Sequence, residues 1–199
     1  MRSGVISATA FFALGIVLGI ISKWMDNLAL DSAVRWHRWI DVLDLGNFFS
    51  DIAVWLFLAL IIAAFSPSAL RAALNVLLFF AGMCVAYHVY TVAFSGFDPL
   101  SYMMIWYGIT LFSPILAALC WYAKGTGTIS IILDIGIIAV FFLVCFSIGF
   151  FYIDLRGVLY LLVFCGAAAV LFRDFKQFMI ALLIGIGLAF LINPIWPYH

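Results

Sequence analysis

The chain has 199 residues, 68% hydrophobic and only 9% charged, with a mean hydropathy of +1.28 and a formal net charge of zero. A water-soluble domain of this size exposes too much of its surface to hide so much apolar area, so the composition excludes a soluble fold and predicts an integral membrane protein partnered by the lipid bilayer. Its 9 Lys and Arg form no run, which excludes nucleic acid as a partner because phosphates call for a basic patch.

A hydrocarbon crossing takes about 20 mostly apolar residues, with about 17 to 25 as the working range. Along the chain, apolar runs over 4–22, 50–65, 70–94, 101–123, 128–151, 157–172 and 177–192 predict about seven spans. The second, sixth and seventh runs are short, which leaves six spans open. The runs are continuous rather than alternating, so helices are expected and a β-barrel is not. The expected fold class is therefore all-α: a polytopic transmembrane helical bundle in a single domain over 1–199. The first run is longer than a signal-peptide core and lacks a small-x-small cleavage site, so it is expected to stay as a span. Turn formers and charges at Ser66-Pro67-Ser68, Phe97-Asp98-Pro99, Lys124-Gly125-Thr126-Gly127 and Arg173-Asp174-Phe175-Lys176 separate the later runs by tight connections.

The first connection, 23–47, is the only sizeable loop. From Asp31 as N-cap to Gly46 as helix stop, Trp36, Trp39, Ile40 and Leu43 recur on one face and predict an interfacial amphipathic helix over 31–46. Its tryptophans suit the headgroup zone. On the opposite face His37, Asp41 and Asp44 stand at i, i+4 and i+7, a weak candidate for a metal or proton site. Arg35 and Arg38 can neutralise these acids locally, so a solvated charged face is the plainer reading.

Charge inside hydrocarbon costs about 2.5–3.5 kcal/mol on insertion scales, which makes Asp134 in the fifth run a candidate by default. It lies about 9 Å of helix from the nearer end of that run, and Arg71 and Asn75 of the third run share its leaflet. An inner cluster of Asp134, Asn75 and Arg71 is expected, either functional or a packing clasp. Toward the other end, Tyr87, His88, Tyr90 and Thr91 close the third run while Tyr102, Trp106 and Tyr107 open the fourth, joined by a short loop. His88, Trp106, Tyr107 and Tyr102, with Asp51, are the candidate ligand-binding residues. The plainer alternative is an aromatic belt around a satisfied histidine.

Cys84, Cys120, Cys145 and Cys165 lie inside apolar runs without metal or disulfide spacing and read as buried small hydrophobes. Small residues at four-residue spacing, Gly15-x-x-x-Gly19, Gly82-x-x-x-Ala86 and Ala181-x-x-x-Gly185-x-x-x-Ala189, allow close helix approach. Pro114 predicts a kink in the fourth run. No zinc-protease pattern, nucleophile elbow or phosphate-binding loop is present, and Gly125-x-Gly127 is a turn, so an enzyme is unsupported and no cofactor or metal is expected.

With the amino terminus in the cytoplasm, the inner segments carry Arg2, Arg71, Lys124, Arg173 and Lys176, and the outer ones Lys23, Arg35, Arg38 and Arg156. This excess favours a cell-membrane protein with its amino terminus inside and its carboxyl terminus outside. Asp26, Asp31, Asp41, Asp44, Asp51, Asp98 and Asp154 then all lie outside.

The tract from Trp55 to Ser66, the tract from Arg71 to Met83 and the Tyr122-Ala-Lys-Gly turn resemble a family of small bacterial multi-span membrane proteins of undescribed function, from the second run onward. In size and span number the chain is grossly similar to the substrate-binding membrane subunits of energy-coupling-factor vitamin transporters. Those have six spans and an Ala-x-x-x-Ala surface on the first helix, where this chain has Gly15-x-x-x-Gly19 and about seven runs. Two functions are expected. In one, the bundle binds or transports a small solute through an outward-facing cavity; in the other, it is an accessory subunit packed against a membrane protein partner.

Overall fold

In a computed structural model, which describes residues 8–31, 33–149 and 151–196, the apolar runs fold as helices joined by tight turns. These are α1 (Ala8–Asp26), α2 (Arg35–Val42), α3 (Leu45–Ser50), α4 (Ile52–Ala64), α5 (Ala69–Tyr90), α6 (Leu100–Ala123), α7 (Thr128–Cys145), α8 (Val158–Leu171) and α9 (Phe175–Ile192). A π-turn over Thr91–Ser95 extends α5, and a 3-10 turn over Asn193–Ile195 ends α9. Between α7 and α8 the chain makes an antiparallel hairpin of β1 (Phe146–Ile148) and β2 (Ile153–Leu155), with Ser147 opposite Asp154.

The helix starts follow from capping. Ser68 Oγ accepts from the Arg71 amide, Asp174 from the Gln177 amide and Asp51 from the Ile52 amide, each satisfying an amide that the helix leaves without a carbonyl. Gly96, at φ 72°, turns the chain out of the π-turn in a conformation costly for any residue with a Cβ. Within α6, Pro114 supplies no amide to the Thr110 carbonyl one turn earlier, and Ser113 Oγ donates to that carbonyl at 2.8 Å instead.

Among the described residues five helices, α1, α5 with its π-turn, α6, α7 and α9 with its 3-10 turn, are long and apolar enough to cross a membrane, so the protein is a multi-span helical membrane protein. The expectation of seven spans, or six, is corrected: α4 has 13 residues and α8 has 14, about 20 Å each. Both are cut short by polar groups that hydropathy alone does not weigh. Asp51 caps the start of α4, and Ser66 Oγ folds back on the Ile62 carbonyl at 2.7 Å just past its end. The hairpin precedes α8, and Arg173 follows it by turning back onto another helix. The run expected over 128–151 stops being helical at Cys145, where the short hairpin takes over in an otherwise all-α bundle.

The amphipathic helix expected over 31–46 is also corrected. Asp44 adopts φ 49°, breaking the segment into α2 and α3, and Gly46 lies inside α3 instead of stopping a helix. The break is held locally, since Asn47 Nδ2 donates to both Asp44 carboxylate oxygens at 2.8 and 3.1 Å. Trp36 of α2 stacks on Trp24 at 6.2 Å between centroids. Residues 4–7 of the first run lie outside the described residues.

α4 sits at the centre, touching α5, α6, α7 and α8, and most of its residues are buried. Its core position explains how a short, wholly apolar helix is accommodated: its side chains meet protein on all sides. The small-residue seams are spent inside the chain. A Cβ at Gly15 would land on the Phe79 carbonyl, one at Gly82 on the Phe12 carbonyl, and one at Gly185 within 2.9 Å of the Ile135 carbonyl. α1 thereby lies backbone to backbone against α5, and α9 against α7.

Candidate functional site

Polar side chains gather at the two ends of the bundle. At the end where α1 finishes and α4 begins, Asp51 Oδ2 accepts from Arg156 Nη1 at 3.1 Å and from the Tyr160 hydroxyl at 3.0 Å. Both charged side chains are only 22% exposed, so their attraction is less screened than that of a surface pair. The hairpin places Arg156 just before α8, and Tyr160 follows within the first turn of that helix. Asp51 is fixed from its own side by capping α4, so sequence neighbours and distant residues hold the same carboxylate.

These groups form one wall of a cavity of about 480 Å³. Asn47 and Ser50 of α3 edge it, Tyr102, Ile105 and Trp106 of α6 close the opposite side, and Ile109 lies deepest along α6. The volume suits a small ligand, and the lining is mixed, with Asn47, Ser50, Asp51, Arg156 and the two tyrosines set among Ile52, Ile105, Trp106 and Ile109. Trp106 is held edge-on to Trp55 at 6.3 Å, and Trp55 Nε1 donates to the Phe49 carbonyl at 2.8 Å, which ties the cavity floor to α3.

A second network braces the rim. Lys23 Nζ lies 3.3 Å from Asp26 Oδ2, the Tyr87 hydroxyl donates to the same oxygen at 3.2 Å, and Ser50 Oγ donates to Asp26 Oδ1. Tyr102 lines both the Asp51 cavity and a neighbouring one of about 320 Å³ beside Lys23 and Tyr87.

Of the residues expected to bind ligand, Asp51, Tyr102 and Trp106 share the cavity. His88 and Tyr107 do not line it. They meet each other, Tyr107 hydroxyl to His88 Nδ1 at 2.8 Å, while His88 Nε2 lies 3.6 Å from the exposed Asp98. Arg156 and Tyr160 were not among the expected residues. The available signal was a single Arg preceding one short apolar run and a single Asp preceding another.

At the opposite end the cations serve helix ends. Lys124 Nζ donates to the Ala64 carbonyl at 2.8 Å, and Arg173 Nη1 donates to the Ala123 and Gly125 carbonyls and to Ser130 Oγ. Cations at carboxyl-terminal carbonyls satisfy orphan acceptors and oppose the helix dipole. Asp134 is 5% exposed and lines one small gap with Arg173 without forming an ion pair to it, while Arg71 is exposed on the first turn of α5. Burial lowers the Arg173 pKa from its usual value, and the Asp134 carboxylate acts the other way. Asn75 donates to Ser66 Oγ at 3.0 Å and does not bridge to Asp134.

The third expected cluster is not assembled. His37 Nδ1 accepts from the Asp31 amide at 2.9 Å, Asp44 is engaged by Asn47, and Asp41 is exposed. Among the described residues no three His, Cys, Asp or Glu side chains converge as a metal would require.

Comparison with protein families, characterised proteins and solved structures gives no match. Neither resemblance noted from the sequence therefore carries a family assignment.

Proposed function

We propose that the protein binds a small solute in the Asp51 cavity and moves it into or through the membrane from the outer face. The observation that carries this reading is the cavity itself: about 480 Å³ at a helix-bundle mouth, with an ion pair and a tyrosine hydroxyl converging on one wall. What favours this over the accessory-subunit reading is that the small-residue seams suited to a partner helix already hold α1 on α5 and α9 on α7.

The outer placement rests on the sequence count alone, five Lys and Arg on the inner segments against four on the outer ones. Lys124 and Arg173 gather at the other end, whereas Lys23 and Arg156 lie at the cavity end.

Native mass spectrometry of the gently extracted protein tests the binding. A small molecule should leave with the wild-type chain and be lost from Asp51→Asn. A chain that leaves the membrane bare, or with another polypeptide and no small molecule, contradicts the proposal.

A further inference from the structure

An apolar groove lies next to the Asp51 cavity. Ile109 lines both, and beyond it the groove, of about 360 Å³, follows α6 from residue 109 to residue 120. At 1.5 Å per residue that is about 16 Å of helix. Val76 and Phe80 of α5 and Leu60 of α4 form its floor and are almost fully buried. Its rims differ: Leu116 of α6 is 50% exposed and Ile132 of α7 is 61% exposed, so the groove opens sideways between these two helices toward the lipid.

Two local features keep the groove wide and dry. Gly136 of α7 lines it, and a Cβ there would meet nothing within 4 Å, so the missing side chain is space left to the groove. The carbonyl freed by Pro114 is Thr110's, and Ser113, itself a lining residue, occupies it. A proline that would otherwise expose a polar group in the wall leaves the wall apolar.

We propose that the solute is a single-chain amphiphile with a net-neutral, zwitterionic head, the head lying at Asp51 and Arg156 and the chain in the groove between α6 and α7. This rests on the solute reading above and names its ligand class. A polar pocket next to an apolar slot matches a molecule with those two parts. The head is zwitterionic because the site is itself a neutral pair. A net-charged head leaves one charge uncompensated in a half-buried place, whereas a zwitterion offers a cation to the carboxylate and an anion to the guanidinium. The lateral opening lets such a molecule enter from the bilayer with its chain never crossing water. Surrounding lipid is as apolar as the groove, so the head supplies most of the affinity and the groove selects for chain length and shape.

The test uses the full chain in a neutral sugar detergent, probed with dodecylphosphocholine, the chain-free head glycerophosphocholine and the anionic dodecyl phosphate, read as bound fraction by native mass spectrometry. Dodecylphosphocholine should give a saturable one-to-one adduct, reduced at least tenfold by Asp51→Asn and by Gly136→Phe. Gly108→Phe is the control. It makes the same change on α6, where a Cβ also meets nothing within 4 Å but outside the groove lining, and it should bind as wild type does. A series from twelve to six carbons on the wild-type protein, at matched mole fraction in the micelle, should lose at least tenfold and needs no variant to fold.

Binding of glycerophosphocholine equal to that of the amphiphile, or no dependence on chain length, overturns the amphiphile while leaving a polar solute at Asp51 intact. Equal binding of dodecyl phosphate overturns the zwitterionic head. If no probe gives an adduct sensitive to Asp51→Asn, the cavity reading falls together with this one.

Discussion

At one end of the bundle Arg156 and Tyr160 donate to a single carboxylate beside open space; at the other, Lys124 and Arg173 donate to the last carbonyls of α4 and α6 and leave little space behind them. The residue types are nearly the same and the helices are shared. What differs is the acceptor. A backbone carbonyl at a helix end must be satisfied wherever it lies, so a cation spent there is committed to the fold. A side-chain carboxylate facing a cavity can exchange its partners for those of a ligand.

The contrast can be broken first at the closed end. Arg173→Ala removes a charged donor from two carbonyls and a serine, so a loss of about 3 kcal/mol is expected. For a chain of this length that is a fall in Tm of about 6–12 °C, measurable by thermal unfolding in detergent. Arg173→Lys should recover part of it, because an ammonium keeps the charge but not the fork of donors. A Tm for Arg173→Ala within about a degree of wild type would place the fold's polar support elsewhere.

Asp51→Asn is expected to cost less, about 1–2 kcal/mol, since the pair is partly solvated and the amide can still cap α4. Tyr160→Phe removes one hydrogen bond and should cost about 1 kcal/mol, with bound solute falling before stability does. Lys124→Ala gives up one carbonyl contact from an exposed side chain and is expected to cost about 0.5–1 kcal/mol. The smallest effect on stability belongs to His37→Cys, at a half-buried position in the short helix α2. That variant reports sidedness instead: an impermeant thiol reagent added to intact cells should label it, and labelling only after lysis would reverse the orientation.

The membrane class was legible in composition because no soluble packing can absorb that much apolar surface. The number of crossing helices was not. Hydropathy averages over the runs at 50–65 and 157–172 and is blind to Asp51 starting one helix and Arg173 leaving another to cap a third. Depth along a helix predicts which leaflet a residue shares, and Arg71 satisfied that for Asp134; the angle around the helix axis, which brings it to the gap it shares with Arg173, is set by packing. For the same reason chain order and end position were enough to group Asp51, Tyr102 and Trp106, which line one cavity, while Arg156 and Tyr160, more than 100 residues from Asp51, were out of their reach. His88 and Tyr107 lie within hydrogen-bond distance of each other, and neither lines the cavity.

The division of labour between the two ends is tested most directly by measuring bound small molecule and Tm together in Asp51→Asn and Arg173→Ala. Asp51→Asn should lose the ligand with Tm lowered by no more than about 8 °C, and Arg173→Ala should lose more stability while its folded fraction still carries the ligand. Ligand retained by Asp51→Asn, or lost from a folded and otherwise stable Arg173→Ala, would contradict it.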